Sequence, residues 1–215
     1  MGLYGTTCKH GHQINPETGN CFHGRHKPVM NWANARIGFL DVETSNLQAD
    51  FGYVHCWWIK EHGRKAFYHE TVTRRDLFAK KFDKRILTDL SKVMKAFDVL
   101  VVYWGSNHRH DVPFLRTRCL VHGLEFPGYG EVIIWDLYDT AKNKLRLHSN
   151  RLDSVGQIFG YHDKTRLDPL IWMCALIGDP ESLAYIDEHC KQDTILTEKV
   201  FDKLERFRNR TKSAI

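Results

Sequence analysis

The sequence predicts an α/β or mixed α+β domain. Short apolar strands alternate with segments of helical periodicity, and turn and capping residues mark several of the switches between them. The first 35 residues show neither pattern. The chain of 215 residues therefore reads as one full domain, 36–215, behind a small extension, 1–35.

The elements follow in order. Ile37 to Glu43 (IGFLDVE) is apolar on both faces, as a central strand requires. Phe51 to Lys60 and Arg64 to Glu70 read as a second and a third strand, joined by a turn at His62-Gly63. Leu87, Leu90, Val93, Met94 and Phe97 recur at helical spacing. Asp98 to Trp104 (DVLVVYW) is a continuous apolar strand covered on both sides. Asp111 to His122 carries Pro113 in its first turn and Gly123 past its end, the signature of a helix. Glu131 to Trp135 is a short strand, and short helices are expected around 137–145, 151–159 and 169–177. The last helix begins at Asp179-Pro180, a capping carboxylate followed by proline at the first helical position.

Composition excludes several classes. Hydrophobic residues at 42% and charged residues at 27% suit a soluble globular chain and argue against disorder. No apolar run approaches the ~20 residues of a membrane helix. Met1 to Gly5 lacks the charged start and apolar stretch of a signal peptide, so none is expected. Six Cys in this length suit a reducing, cytoplasmic compartment better than a disulfide framework. The net charge of +5 permits an anionic partner.

Four acidic residues stand out. Asp41 and Glu43 are two apart on the first strand and share a face with Ile37 and Phe39. By themselves they also fit a strand-end pair facing water. His189 and Asp193 lie one turn apart on the inward stripe of the last helix, traced by Ile186, Cys190, Leu196, Val200 and Leu204. A buried carboxylate there needs a partner or a metal, and a simple His–Asp hydrogen bond would also serve. Asp111, before a first-turn proline, fits a helix cap when taken alone. Together, these positions can converge on one point. Hard divalent cations take such oxygen ligands, and two of them about 4 Å apart clamp an in-line phosphoryl displacement.

These residues resemble the DEDD superfamily of 3′–5′ exonucleases, which share the ribonuclease H-like fold. Asp41-Val-Glu43-Thr44-Ser45-Asn46-Leu47 matches the first motif of that family, Asn107-His-Arg-His-Asp111 the second, and His189-Cys-Lys-Gln-Asp193 the third, in the family's order over about 36–205. Leu147 to Asp153 and Tyr185 to Asp193 are similar to stand-alone relatives of the proofreading exonuclease domain of family-B DNA polymerases. Members with Tyr in the third motif have three residues before the Asp, and those with His have four; this chain has His at the three-residue spacing.

The resemblance implies a mixed central sheet flanked by helices and a site for two Mg²⁺ or Mn²⁺ ions. Asp41, Glu43 and Asp193 would hold one ion, and Asp41 with Asp111 the other. His189 would be the general base in hydrolysis of the terminal phosphodiester of a single-stranded DNA or RNA 3′ end, releasing a nucleoside 5′-monophosphate. Thr44, Leu47 and Asn107 would bind the terminal nucleotide, Leu47 as a wedge against its base, although a leucine tucked onto the core fits that position too.

In the extension, Cys8 and His12 with Cys21 and His23 or His26 have the residue types of a structural Zn²⁺ site. They loosely resemble the knuckles before some phage-type endonucleases, which leaves a phage-encoded protein open. A polar, His-rich arm without metal fits the same residues. Cys56, Cys119, Cys174 and Cys190 read as small core residues. His108, Arg109, His110, Arg116 and Arg118 surround the second motif and are expected to grip phosphates, Arg109 foremost. Trp57, Trp58 and Trp104 are expected in the core rather than stacked on bases. The rival to an exonuclease is a binding or accessory module that keeps the fold with weak catalysis; the presence of all four carboxylates favours the enzyme.

Overall fold

The computed structural model describes residues 20–21, 24–25, 35–106, 108–162, 165–166 and 168–207. Its centre is a five-stranded sheet. β3 (Ile37–Thr44) lies in the middle, β4 (Val54–Glu61) and β5 (Phe67–Thr71) continue from it as an antiparallel meander, and β6 (Val99–Val102) and β7 (Ile133–Asp136) line up parallel on its other side. The order is β5-β4-β3-β6-β7. The mixed sheet arises because short turns return β4 and β5, whereas β6 and β7 follow helices that carry the chain back for a parallel entry.

Helices cover both faces. Leu40 and Val42 of β3 belong to a core shared with α2 (Lys84–Met94) and α3 (Asp111–Val121). Trp57 of β4 donates its indole N–H to the Ile86 carbonyl on that side. The alternate residues Ile37 and Phe39 pack with α4 (Leu137–Lys144), α5 (Leu152–Ile158) and the second half of α7 (Pro180–Leu204). Phe39 meets Phe201 edge-on at 5.2 Å. Period-2 alternation then puts Asp41 and Glu43 on the α7 face as well. Asp179 caps α7 by accepting from Ser182 N, and Pro180 opens it, as the sequence predicts.

The expected elements match within a few residues at their ends. α1 (Arg74–Phe78) was not anticipated, although its Thr73–Asp76 capping box is readable in the sequence. α6 (Pro169–Leu176) is capped by Asp168. Asn20–Cys21 (β1) pairs antiparallel with Gly24–Arg25 (β2). The Zn²⁺ ligand set Cys8, His12, Cys21 and His23 concerns side chains outside the described residues. Cys56, Cys119 and Cys190 are buried, as expected, but Cys174 is only half-buried. No helix among the described residues is long and apolar enough to cross a membrane.

Candidate metal centre

β3 ends its apolar run where α7 crosses it, and the first and third acidic segments meet there. Ligand atoms of Glu43, His189 and Asp193 all lie within 4.8 Å of one another. His189 Nε2 stands 3.7 Å from Glu43 Oε1 and 3.9 Å from Asp193 Oδ2. His189 and Asp193 are buried on the inward stripe of α7, where their four-residue spacing places them on one face. Cys190, between them, anchors the helix to the strand by donating its Sγ–H to the Asp41 carbonyl at 3.3 Å.

Asp41 is the most crowded charge of the group. Burial drives its carboxyl well above the ordinary carboxylate range, and the charges of Asp193, Glu43 and Asp111 push the same way. Its Oδ2 is shut off from solvent and has no hydrogen-bond partner among the described residues. A cation between the carboxylates would reverse both penalties, so the donor set suits a hard divalent ion.

Asp111 approaches from the β6 side. It is the first residue of α3, not its cap: the cap position is His110, and Asp111 is buried. Burial, with the charge of Asp136 added, pushes its carboxyl up to about 8. Gly105 makes the approach possible, since a Cβ there would stand 2.2 Å from Asp111 Oδ2. Asp136, at the end of β7, ties the same loop together by accepting from Trp104 N at 2.9 Å and Ser106 N at 3.1 Å. Neither Gly105 nor Asp136 was among the expected site residues. The strand ending at Asp136 and its capping of Tyr138 N were the available signal for the latter.

The substrate-side candidates divide. Thr44 Oγ1 donates to the Asn46 carbonyl at 2.9 Å and shares a hydrogen bond with His110 Nε2 at 3.1 Å, joining the β3 end to the start of α3. Leu47 is 75% exposed, not tucked onto the core. Asn107 lies outside the described residues. Arg109 is held inside the protein: its guanidinium pairs with Asp139, its Nε lies 3.3 Å from Asp136, and it sits 4.2 Å over the Tyr138 ring. Arg118 does not face a phosphate. It is buried and bonded to Asp83, with His122 on the same carboxylate. Arg116 stacks on Phe126.

His189 also has a partner that sequence spacing could not reveal. Thr165 Oγ1 shares a 2.5 Å hydrogen bond with His189 Nδ1, and Thr165 N donates to Gln192 Oε1 at 2.9 Å. The bond fixes the ring and leaves Nε2 as the nitrogen facing Glu43 and Asp193.

A family model described as the RNase_H superfamily matches residues 38–205, from the first sheet strand to the end of α7. No curated protein matches the chain.

Proposed function

The chain belongs to the RNase_H superfamily, and on that premise we propose that it is a metal-dependent 3′–5′ exonuclease of single-stranded nucleic acid. The family carries a nuclease-like role in nucleic-acid processing. The observation that carries the finer reading is the meeting of Glu43, His189 and Asp193 within 4.8 Å, beside the crowded Asp41.

In this reading Asp41, Glu43 and Asp193 would hold one Mg²⁺ or Mn²⁺, and Asp41 with Asp111 would hold a second. Bound there, the ions would supply positive charge to the scissile phosphate and to the departing 3′ oxygen. His189 accepts the proton of the attacking water at Nε2, while Thr165 holds its Nδ1. Leu47, exposed beyond the strand end, meets the terminal base. Thr44 orders the strand end through Asn46 and His110, and Asn107 contacts the terminal nucleotide. Arg109 serves by bracing the loop that presents Asp111, through Asp136 and Asp139. Water attack on the terminal phosphodiester then releases a nucleoside 5′-monophosphate and leaves a new 3′-hydroxyl.

The test is release of acid-soluble nucleotide from single-stranded DNA and RNA in Mg²⁺ or Mn²⁺. Asp41→Ala and Asp193→Ala are each expected to lower the rate by roughly a thousandfold while the circular-dichroism spectrum stays that of the parent. If either variant kept the parental rate, the site would be assigned wrongly. If the parent bound the strands without shortening them, the protein would be a binding module instead.

A further inference from the structure

At the carboxyl end of β6 the chain leaves the sheet through Trp104, Gly105 and Ser106. Trp104 has φ = +63°, a left-handed conformation that glycine or asparagine adopts at little cost and a bulky residue does not. The turn is maintained from outside the residue: Asp136 accepts from the amides of Trp104 and Ser106, and Arg109 lies against the same carboxylate. Nothing in that network uses the indole. Trp104 is 49% exposed, whereas Trp57, Trp58 and Trp135 are buried. A strained backbone thus carries a large aromatic surface toward solvent, a combination that is costly twice and typical of ligand-binding positions.

Its place in the fold says which ligand. Phe39 pairs with Val101 in parallel register, so counting on along both strands brings position 103 level with Asp41. Trp104 leaves the sheet at that level, one residue before the glycine that packs on Asp111. The β3–β4 loop lies against α3, with the Ala49 carbonyl accepting from Arg118, and bears Leu47 and the 83%-exposed Phe51. Large exposed apolar side chains therefore leave the chain near the same end of β3 and β6 that carries Asp41 and Glu43.

We infer that Trp104 is a base-stacking residue: its indole takes the face of a nucleobase in the strand that enters the metal centre. This rests on the exonuclease reading and adds a selection to it. An unpaired base offers its π-face, whereas a base in a duplex has both faces covered by its neighbours, so the contact favours single strands with little preference among bases.

The experiment measures binding and hydrolysis separately. Binding of a 5′-fluorescent single strand is read by anisotropy with Ca²⁺ in place of Mg²⁺, and hydrolysis is read with Mn²⁺. Trp104→Ala is expected to weaken binding roughly 5- to 100-fold, and Trp104→Phe to retain most of the affinity. Trp104→Gly, relieved of backbone strain, should melt no lower than the parent yet bind as poorly as Trp104→Ala. The parent should lose affinity for a strand with an abasic site at one position near the 3′ end, and Trp104→Ala should show no further loss there. If Trp104→Ala bound and hydrolysed the strand like the parent, the inference would fall and the exonuclease reading would stand. A parent that bound the strand without hydrolysing it would overturn the exonuclease reading alone, and the variants' affinities would still decide the role of Trp104.

Discussion

Gly105 shows how one missing side chain can set a site. Its hydrogen is all that fits between the β6 exit and Asp111, since a Cβ would stand 2.2 Å from the carboxylate. Gly105→Ala should therefore move Asp111 while leaving the core intact. A loss of activity on the order of a hundredfold with an unchanged melting temperature is expected. Asp41 offers the converse. Its carboxyl is raised first by burial and then by the charges of Asp193, Glu43 and Asp111, and neutralisation relieves both. Asp41→Asn should melt a few degrees above the metal-free parent, about 1 kcal/mol at this size, and should no longer be stabilised by Mn²⁺ as the parent is. His55 is a third case. It is buried, both its ring nitrogens lack partners among the described residues, and burial lowers its pKa to about 4. The unfolded chain binds its proton between about 6.5 and 4 while the folded protein does not, so stability is lost as pH falls through that window. His55→Leu should flatten this part of the stability–pH curve, measured by urea titration. The carboxylates could be read from the sequence because each sits in a local pattern of strand or helix spacing. Gly105 and Thr165 could not, because their roles depend on contacts set by distant segments, and Trp104, expected in the core, is instead 49% exposed because its positive φ turns it out of the sheet.

At the scale of elements, the candidate metal centre is a junction. β3 contributes Asp41 and Glu43, α3 contributes Asp111, and α7 contributes His189 and Asp193. Carboxyl groups from all three elements act on Asp41 together, and in the proposed site a cation would relieve them. Asp111 titrates near 8 in the folded protein against 3.8 as an ordinary carboxylate, so the metal-free fold holds the extra proton between those values. Its contribution to stability is complete below about 4 and is lost as pH rises through about 8. A cation needs the ionised form, so the rise in melting temperature on adding Mn²⁺ should be larger at about pH 8 than at about pH 5.5. Differential scanning fluorimetry at both values checks this, and an equal shift at both would contradict it. Most of the element order was readable from periodicity and caps. α1 escaped because five residues are too few to show a helical period, and only its capping box marks it.

Across the whole molecule, one buried network helps hold the layers in register. Asp83 precedes α2, accepts from Val54 N of β4, and takes Arg118 of α3 in two hydrogen bonds. Burial alone would raise the Asp83 carboxyl, but the bonds from Arg118, Val54 and His122 outweigh it and hold it low. Arg118→Leu leaves that buried carboxylate with only Val54 N and His122 on it and should cost about 3 kcal/mol in chemical denaturation, with nuclease activity at low temperature retained. The sequence suggested a phosphate contact for Arg118 because clustered arginines look alike until the fold shows which of them face inward. The family match over residues 38–205 spans the sheet, the four carboxylates and α7 together. The most direct measurement follows a single-stranded oligonucleotide labelled at its 5′ end, incubated with the protein and Mn²⁺ and resolved by length over time. A ladder shortening one nucleotide at a time from the 3′ end, absent with EDTA and absent with Asp193→Ala, is the expected result. Immediate release of the label as a mononucleotide, internal cuts without a ladder, or an intact strand would contradict a 3′–5′ exonuclease.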